Sequence, residues 1–297
     1  MTFFLLGLLA HVVADFALQA DSVVESKGKR IPRGYLKHGA IVLVSNAIAF
    51  HVYGLKVAAA IAAAVAATHI GIDWLKSMAE GRGAVGSTRS GAGASGRSGT
   101  SSGAIGDARS GFDGLDGRGA TRGLLVFLLD QCAHVAVLVG VWELAVDLYV
   151  ARLSESVLRI YQGTFLRKTV QALLPACTAL DLSFDKVLII ALAYVTVVFV
   201  GAVFVRQVLD AFSIYAEPRL STRAGRCIGM AERALMLTLV LVDALPSIAF
   251  VLTAKSLARF QELNDMGFAE YYLVGTLTSA VVAVSVGIAA RAVIQVL

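Results

Sequence analysis

Apolar runs alternate along this chain with short polar stretches, and runs of about 20 residues are the length a helix needs to cross a hydrocarbon core. They predict helices near residues 2–19, 38–54, 56–77, 123–149, 184–210, 228–252 and 268–293. The expected fold class is therefore all-α, a polytopic transmembrane helical bundle of about seven spans. The junction Tyr53-Gly54-Leu55 between the second and third runs reads as a helical hairpin. Segment 169–180 is too short to span and reads as an interfacial or re-entrant piece, and 154–168 reads as an amphipathic surface helix. The opening MTFFLLGLLAHVVADFALQ reads as the first membrane helix, not a signal peptide: it lacks a basic n-region, and His11 and Asp15 interrupt its apolar run.

Residues 80–122 break the pattern and read as a disordered Gly/Ser-rich cytoplasmic linker. Thirteen of the 28 glycines lie there among Ser, Thr, Ala and Arg, and such a segment buries too little apolar surface to order itself. It divides an N-terminal helical unit, 1–79, from a C-terminal one, 123–297. GRGAVG at 81–86 and GAGASG at 91–96 both match G-x-G-x-x-G. No strand precedes either and no βαβ unit surrounds them, so neither reads as a nucleotide site.

Composition agrees with a membrane solvent. The chain is 57% hydrophobic and 16% charged, with a mean hydropathy of +0.75. A net charge of +5 does not imply nucleic acid, because Lys and Arg gather between apolar segments, as topology requires. With the N-terminus outside, 18 of the 26 Lys and Arg fall on the cytoplasmic side. The expectation is an N-out, C-in, multi-pass protein of the cell (plasma or inner) membrane, with the lipid bilayer as its partner and no oligomeric state implied. Cys132, Cys177 and Cys227 are far apart, form no CxxC, and read as small half-buried side chains.

Against this background the ionisable residues inside the apolar runs stand out, since each is costly there. His11 and Asp15, His69 and Asp73, and Asp130 and His134 are pairs four residues apart, hence on one helix face. Counted from the cytoplasmic end of each helix, Asp15 and Asp73 lie about 6 Å deep, His11, His69 and Asp130 about 12 Å, and His134 about 18 Å. His38 stands at the mouth of the second helix, while His51 falls at the opposite end and does not belong. Neutral imidazoles with carboxylates suit a divalent metal, Zn²⁺ first and Fe²⁺ or Mn²⁺ next. The expected ligands are His11, His69 and His134, with Asp130 and His38 beside them. Asp15 or Asp73 is the expected general base, and Gln19, Gln131 and Asn46 are polar supports. No HExxH occurs, so this is not the zincin arrangement. Three functions remain open: a metal-dependent hydrolase of a lipid-linked or amphipathic substrate, a proton- or metal-ion-coupled transporter, and a structural scaffold with a polar core.

A second cluster comprises Glu232, Lys255, Arg259 and Glu270. Glu232, beside Arg233, reads as part of a charged cytoplasmic helix end. Lys255 and Arg259, placed beyond the far end of the same helix, read as a solvated salt-bridged turn or a basic pocket for a lipid headgroup or phosphate. On this topology the two halves of the cluster lie on opposite membrane faces.

These residues carry a resemblance. HVVADFALQ at 11–19 is similar to the opening of an uncharacterised bacterial integral-membrane family, domain of unknown function 3307, whose pattern runs H-x-x-x-D-F-x-x-Q. His38, His69 with Asp73, and Asp130-Gln131-x-x-His134 look like its later marks. GRCIGMAER, FVLTAKSLARFQEL and FAEYYLVGTLTS resemble the longer members. The resemblance implies a membrane fold and supplies no activity. At the level of fold alone, the His/Asp-bearing helices also resemble bacterial inner-membrane proteins predicted to be metal-dependent hydrolases.

Overall fold

The computed structural model describes residues 1–19, 23, 26–27, 31–87, 117–147, 183–211 and 223–297. Among them every element is helical. Helix α1 (Thr2–Val12) runs into a π-helical turn (Val13–Ala17), and α2 (Pro32–Phe50) is followed by a 3₁₀ turn (His51–Tyr53). Then come α3 (Leu55–Ser87), α4 (Gly117–Asp147) and α5 (Phe184–Val195). A second π-helical turn (Thr196–Val200) continues α5 into α6 (Gly201–Ala211). The chain closes with α7 (Arg223–Leu241), α8 (Ser247–Ala258), a 3₁₀ turn (Glu262–Asn264) and α9 (Met266–Val296).

Local chemistry sets the boundaries. Pro32 opens α2 at a position where its missing N–H costs nothing. Gly54 takes φ 104°, which only glycine adopts freely, and turns α2 back along α3 as the expected hairpin. The Ser183 hydroxyl accepts from the Lys186 N–H at 3.3 Å to cap α5, and the Asp265 carboxylate accepts from the N–H groups of Gly267 and Phe268 to cap α9. Helix reaches into both ends of the expected linker, since α3 runs to Ser87 and α4 begins at Gly117. Residues 88–116, and the segments 154–168 and 169–180, lie outside the described residues.

The C-terminal half departs from expectation. The single helix expected over 228–252 is two. Asp243 adopts φ 63° and Pro246 lacks an N–H donor, so α7 ends and α8 folds back along it. This short return pass reverses α9. The Arg291 guanidinium near the end of α9 donates to the Asp243 carboxylate and holds that carboxyl below the usual carboxylate range. Thr2 Oγ1 donates to Asp185 Oδ1 at 2.6 Å, and Leu5, Ile189, Val240 and Ala290 share one core cluster. The start of α1 and the end of α9 therefore lie at the same end of the bundle, an arrangement that does not support N-out with C-in.

The described helices do not support seven equivalent spans. Among the described residues four helices are long and apolar enough to cross a membrane: Leu55–Met78, Arg122–Ala145, Phe184–Ala211 and Met266–Val296. Helices α2 and α7 have 19 residues each but carry Arg33, Lys37, His38 and Asn46, and Arg226, Glu232 and Arg233. Helix α8, at 12 residues, covers only about 18 Å. The bundle holds a group of ionisable side chains within an otherwise apolar interior and turns large apolar side chains outward. His11, His38, His69, Asp73, Asp130, His134 and Arg233 are buried, while Leu36, Ile48, Leu129, Phe250 and Val281 face outward.

Helices α7 and α9 touch closely. A Cβ added at Gly287 meets Val240 Cγ1 at 2.7 Å and Val240 Cβ at 2.8 Å, atoms too near the backbone to swing away. Gly287→Ala is expected to destabilise the protein by about 1–3 kcal/mol, read as a lowered melting temperature in detergent. Cysteines placed at Met1 and Leu297 in a cysteine-free background are expected to react with an impermeant reagent from the same side of sealed vesicles. Labelling from opposite sides contradicts this arrangement.

Candidate metal centre

The first four helices bring their polar residues to one level. The π-helical turn Val13–Ala17 carries Asp15. Its wider winding leaves Asp15 Oδ2 3.9 Å from His11 Nδ1 and turns Oδ1 toward α2 and α3. There Oδ1 lies 3.1 Å from His38 Nε2 and 3.0 Å from His69 Nε2, and the two imidazole nitrogens are 2.9 Å apart. With Asp15 ionised, no placement of protons makes all three contacts favourable. Protonating both nitrogens sets two N–H groups against each other, and leaving one bare sets its lone pair against the carboxylate. A cation capping the triangle satisfies all three. His38 Nε2, His69 Nε2 and Asp15 Oδ1 would together hold one small divalent ion, since their separations are compatible with metal–donor bonds of ~2.0–2.1 Å. Asp73 Oδ2 stands 3.8 Å from His38 Nε2 and 3.9 Å from His69 Nε2.

Beside the triangle lies a second set of donors. Asp73, Asp130 and His134 each offer a ligand atom within 4.8 Å of the others. His134 Nδ1 is 2.8 Å from the Asp130 backbone oxygen. A carbonyl only accepts, so Nδ1 carries the proton and Nε2 a lone pair. That Nε2 and Asp130 Oδ1 are buried and have no hydrogen-bond partner among the described residues. Asp130 Oδ2 accepts from Lys76 Nζ at 2.9 Å and from Gln131 Nε2 at 3.2 Å. This leaves the Gln131 carbonyl oxygen facing His11 Nε2 at 3.4 Å, which puts the His11 proton on Nε2 and a lone pair on Nδ1. Between His11, His69 and His134 is a void of about 10 Å³, room for one water, walled otherwise by Val65, Thr68, Ile72, Val137 and Leu138.

Two lysines absent from the expected site complete it. Lys27 Nζ donates to Asp73 Oδ2 at 2.7 Å. It is steadied by the Gln19 amide oxygen at 2.7 Å, while the Gln19 nitrogen donates to the Asp15 backbone oxygen at 3.0 Å. The amide end of Gln19 also lies 3.5 Å from His38 Nδ1. The Tyr35 hydroxyl donates to Ser77 Oγ at 2.6 Å, and that hydroxyl donates to the Asp73 backbone oxygen at 3.0 Å. The sequence did hold a signal: Lys76 follows Asp73 by three residues and so shares its face. Read only as topology markers, both lysines were missed as site residues. Asn46 instead donates to Val42 O of its own helix at 2.9 Å, and His51 bonds the Ile48 carbonyl at the hairpin turn, away from the centre.

The second cluster assembles differently from expectation. Because α8 folds back along α7, Lys255 Nζ donates to Glu232 Oε2 at 2.5 Å, so these two lie together and not on opposite faces. Lys255 also lies 5.4 Å from the centre of the Tyr272 ring. Arg259 pairs with Glu262 at 3.3 Å on the surface, and Glu270 is exposed on the second turn of α9. Arg233, expected at a solvated helix end, is buried. Its Nε donates to Val197 O at 2.9 Å and its Nη2 to Val198 O at 3.0 Å, meeting carbonyls of the second π-helical turn, which packs against the turn carrying Asp15. Arg233→Met leaves both carbonyls without that donor. It is expected to cost about 1–3 kcal/mol, seen as a lowered melting temperature, with Arg233→Lys recovering part of it.

The sequence profile of a family described as protein of unknown function (DUF3307) matches residues 3–158. That interval contains every residue of the two donor sets, and helices α5 to α9 lie beyond it. No curated protein and no solved structure matches the chain.

Proposed function

Since the chain belongs to the DUF3307 family, whose description names no activity, we propose a function from the site itself: a membrane-embedded, metal-dependent hydrolase acting on a lipid-linked or amphipathic substrate. The observation that carries this reading is the triangle of His38 Nε2, His69 Nε2 and Asp15 Oδ1, whose sides of 2.9, 3.1 and 3.0 Å suit a small divalent ion, beside a void the size of one water. Zinc is the first choice for two imidazoles and a carboxylate, and such an ion brings the pKa of a bound water to about 7 and polarises a carbonyl or phosphoryl oxygen. In this reading Asp15 is a ligand. His11 replaces Asp15 and Asp73 as general base, because it lines the void and its Nδ1 is free to take a proton.

Two observations support an amphipathic substrate. Trp74 and Leu75, between Asp73 and Lys76, face outward, so an acyl chain lying against the bundle reaches the depth of the site. Lys27 and Lys76 offer ammonium groups to an anionic headgroup. The far half of the N-terminal bundle supports a hydrolase over a transporter. Among the described residues Phe3, Phe50, Tyr53 and Ala58 pack there, with Ala14, Val42, Val65 and Leu138 closer to the centre, so that the packing is mainly apolar, and the buried Asn46 donates to Val42 O of its own helix. Both ends of the chain are proposed to face the outside, with the site opening to the cytoplasm. The fold moves Lys255 and Arg259 to the site's end of the bundle and Arg291 to the other, which strengthens the positive bias at the site's end.

Purified protein is expected to retain a divalent ion, and His38→Ala and His69→Ala to lose it, while His51→Ala keeps it. Chelation should lower the melting temperature of the wild type, because an ion bound only by the folded state stabilises it by mass action. A melting curve unmoved by chelator but collapsed by His38→Ala favours a structural polar core and overturns the hydrolase.

A further inference from the structure

The donors left over by the triangle point to a second ion. We propose that Asp73, Asp130 and His134 hold a second divalent cation next to the first, with Asp73 as the bridging carboxylate of a two-metal centre; this rests on the metal-dependent reading above. Asp73 belongs to both sets, since it forms one group with His38 and His69 and another with Asp130 and His134. A carboxylate shared in this way is how two ions come to lie ~3.5–4 Å apart in hydrolytic sites.

The strongest support is the state of His134 and Asp130. Nothing among the described residues donates to His134 Nε2 or to Asp130 Oδ1, although both are buried. Two acceptors facing one region without a donor are costly in a low-dielectric interior and are met together by a cation. The His134 ring is already oriented as a ligand. Its Nδ1–H donates to a backbone carbonyl, the outer bond that fixes the tautomer of metal-bound histidines and directs Nε2 at the metal.

The two lysines fit the same account. Lys27 and Lys76 place ammonium groups on Asp73 Oδ2 and Asp130 Oδ2, where the positive charge of an ion is otherwise needed. Both reach in on long side chains that retain 16% and 29% exposure, so each can withdraw toward the rim as an ion enters. Lysine and cation therefore compete for the same carboxylates, and the second site is the weaker.

The test uses the full chain in detergent, loaded with Zn²⁺ or with Mn²⁺, desalted, and assayed for metal by mass spectrometry. Two ions per chain are expected, falling to one in Asp130→Asn and in His134→Ala, with an exchange-coupled Mn²⁺ resonance signal lost in both. Lys76→Met, which removes a surface-reaching arm and leaves every ligand in place, is expected to tighten the second ion by about fivefold in a Mn²⁺ titration, the effect of one lost competing ion pair. One ion in the wild type, unchanged by Asp130→Asn and untouched by Lys76→Met, overturns the second site and leaves the first standing. No bound ion overturns both. Two ions that survive His134→Ala and Asp130→Asn place the second elsewhere and overturn this assignment.

Discussion

Everything in the N-terminal half depends on the cost of bringing like-charged electron pairs together away from water. Asp15 Oδ1, His38 Nε2 and His69 Nε2 meet from three different helices at about 3 Å, closer than their lone pairs tolerate without a positive charge between them. Such an arrangement persists only where surrounding structure holds it. Here the holders are the π-helical turn that aims Asp15, the Gly54 turn that locks α2 against α3, and the apolar packing of Phe3, Phe50 and Tyr53 beyond. The helices are thus a frame whose outward faces suit lipid and whose inward faces suit an ion.

The same logic orders the shell around the triangle. Gln131 donates to Asp130 and so fixes the His11 proton, while the Asp130 backbone fixes the His134 proton. Each bond leaves an imidazole lone pair facing the interior. Tyr35, Ser77 and Gln19 position Asp73 and Lys27 in turn. Little of this is surplus: a polar network in a low dielectric stabilises only when its members are satisfied, and among the described residues His134 Nε2 and Asp130 Oδ1 have no hydrogen-bond donor and could take a cation.

The C-terminal helices connect to this centre through backbone geometry. Arg233 gives two donors to the π-helical turn Thr196–Val200, and that turn rests against the one carrying Asp15. A guanidinium suits this place because freed carbonyls in an apolar interior need donors, and one planar group reaches two of them. The carbonyls of this widened helical turn explain why Arg233 is inside while Glu232 beside it is only partly buried.

Much of the centre was legible in the chain. His11/Asp15, His69/Asp73 and Asp130/His134 share helix faces by the fixed pitch of an α-helix, and the alternating direction of short-looped helices brings those faces to one level. That is why His38 joins them and His51 does not. What only the tertiary structure decided is which atoms meet. Spacing along one helix cannot show that Asp15 turns from its own partner His11 toward His38 and His69, because that depends on a π-helical turn. Nor does it show that Lys27 and Lys76 reach the carboxylates, because long side chains choose partners only once the helices have packed. The reversal at Asp243 and Pro246 lay hidden inside an apolar run, and hydropathy averages over such a run without registering a turn. One residue in the left-handed region decided that Glu232 and Lys255 are neighbours and that the start of α1 and the end of α9 lie at the same end of the bundle, since the direction of every later helix follows from that turn.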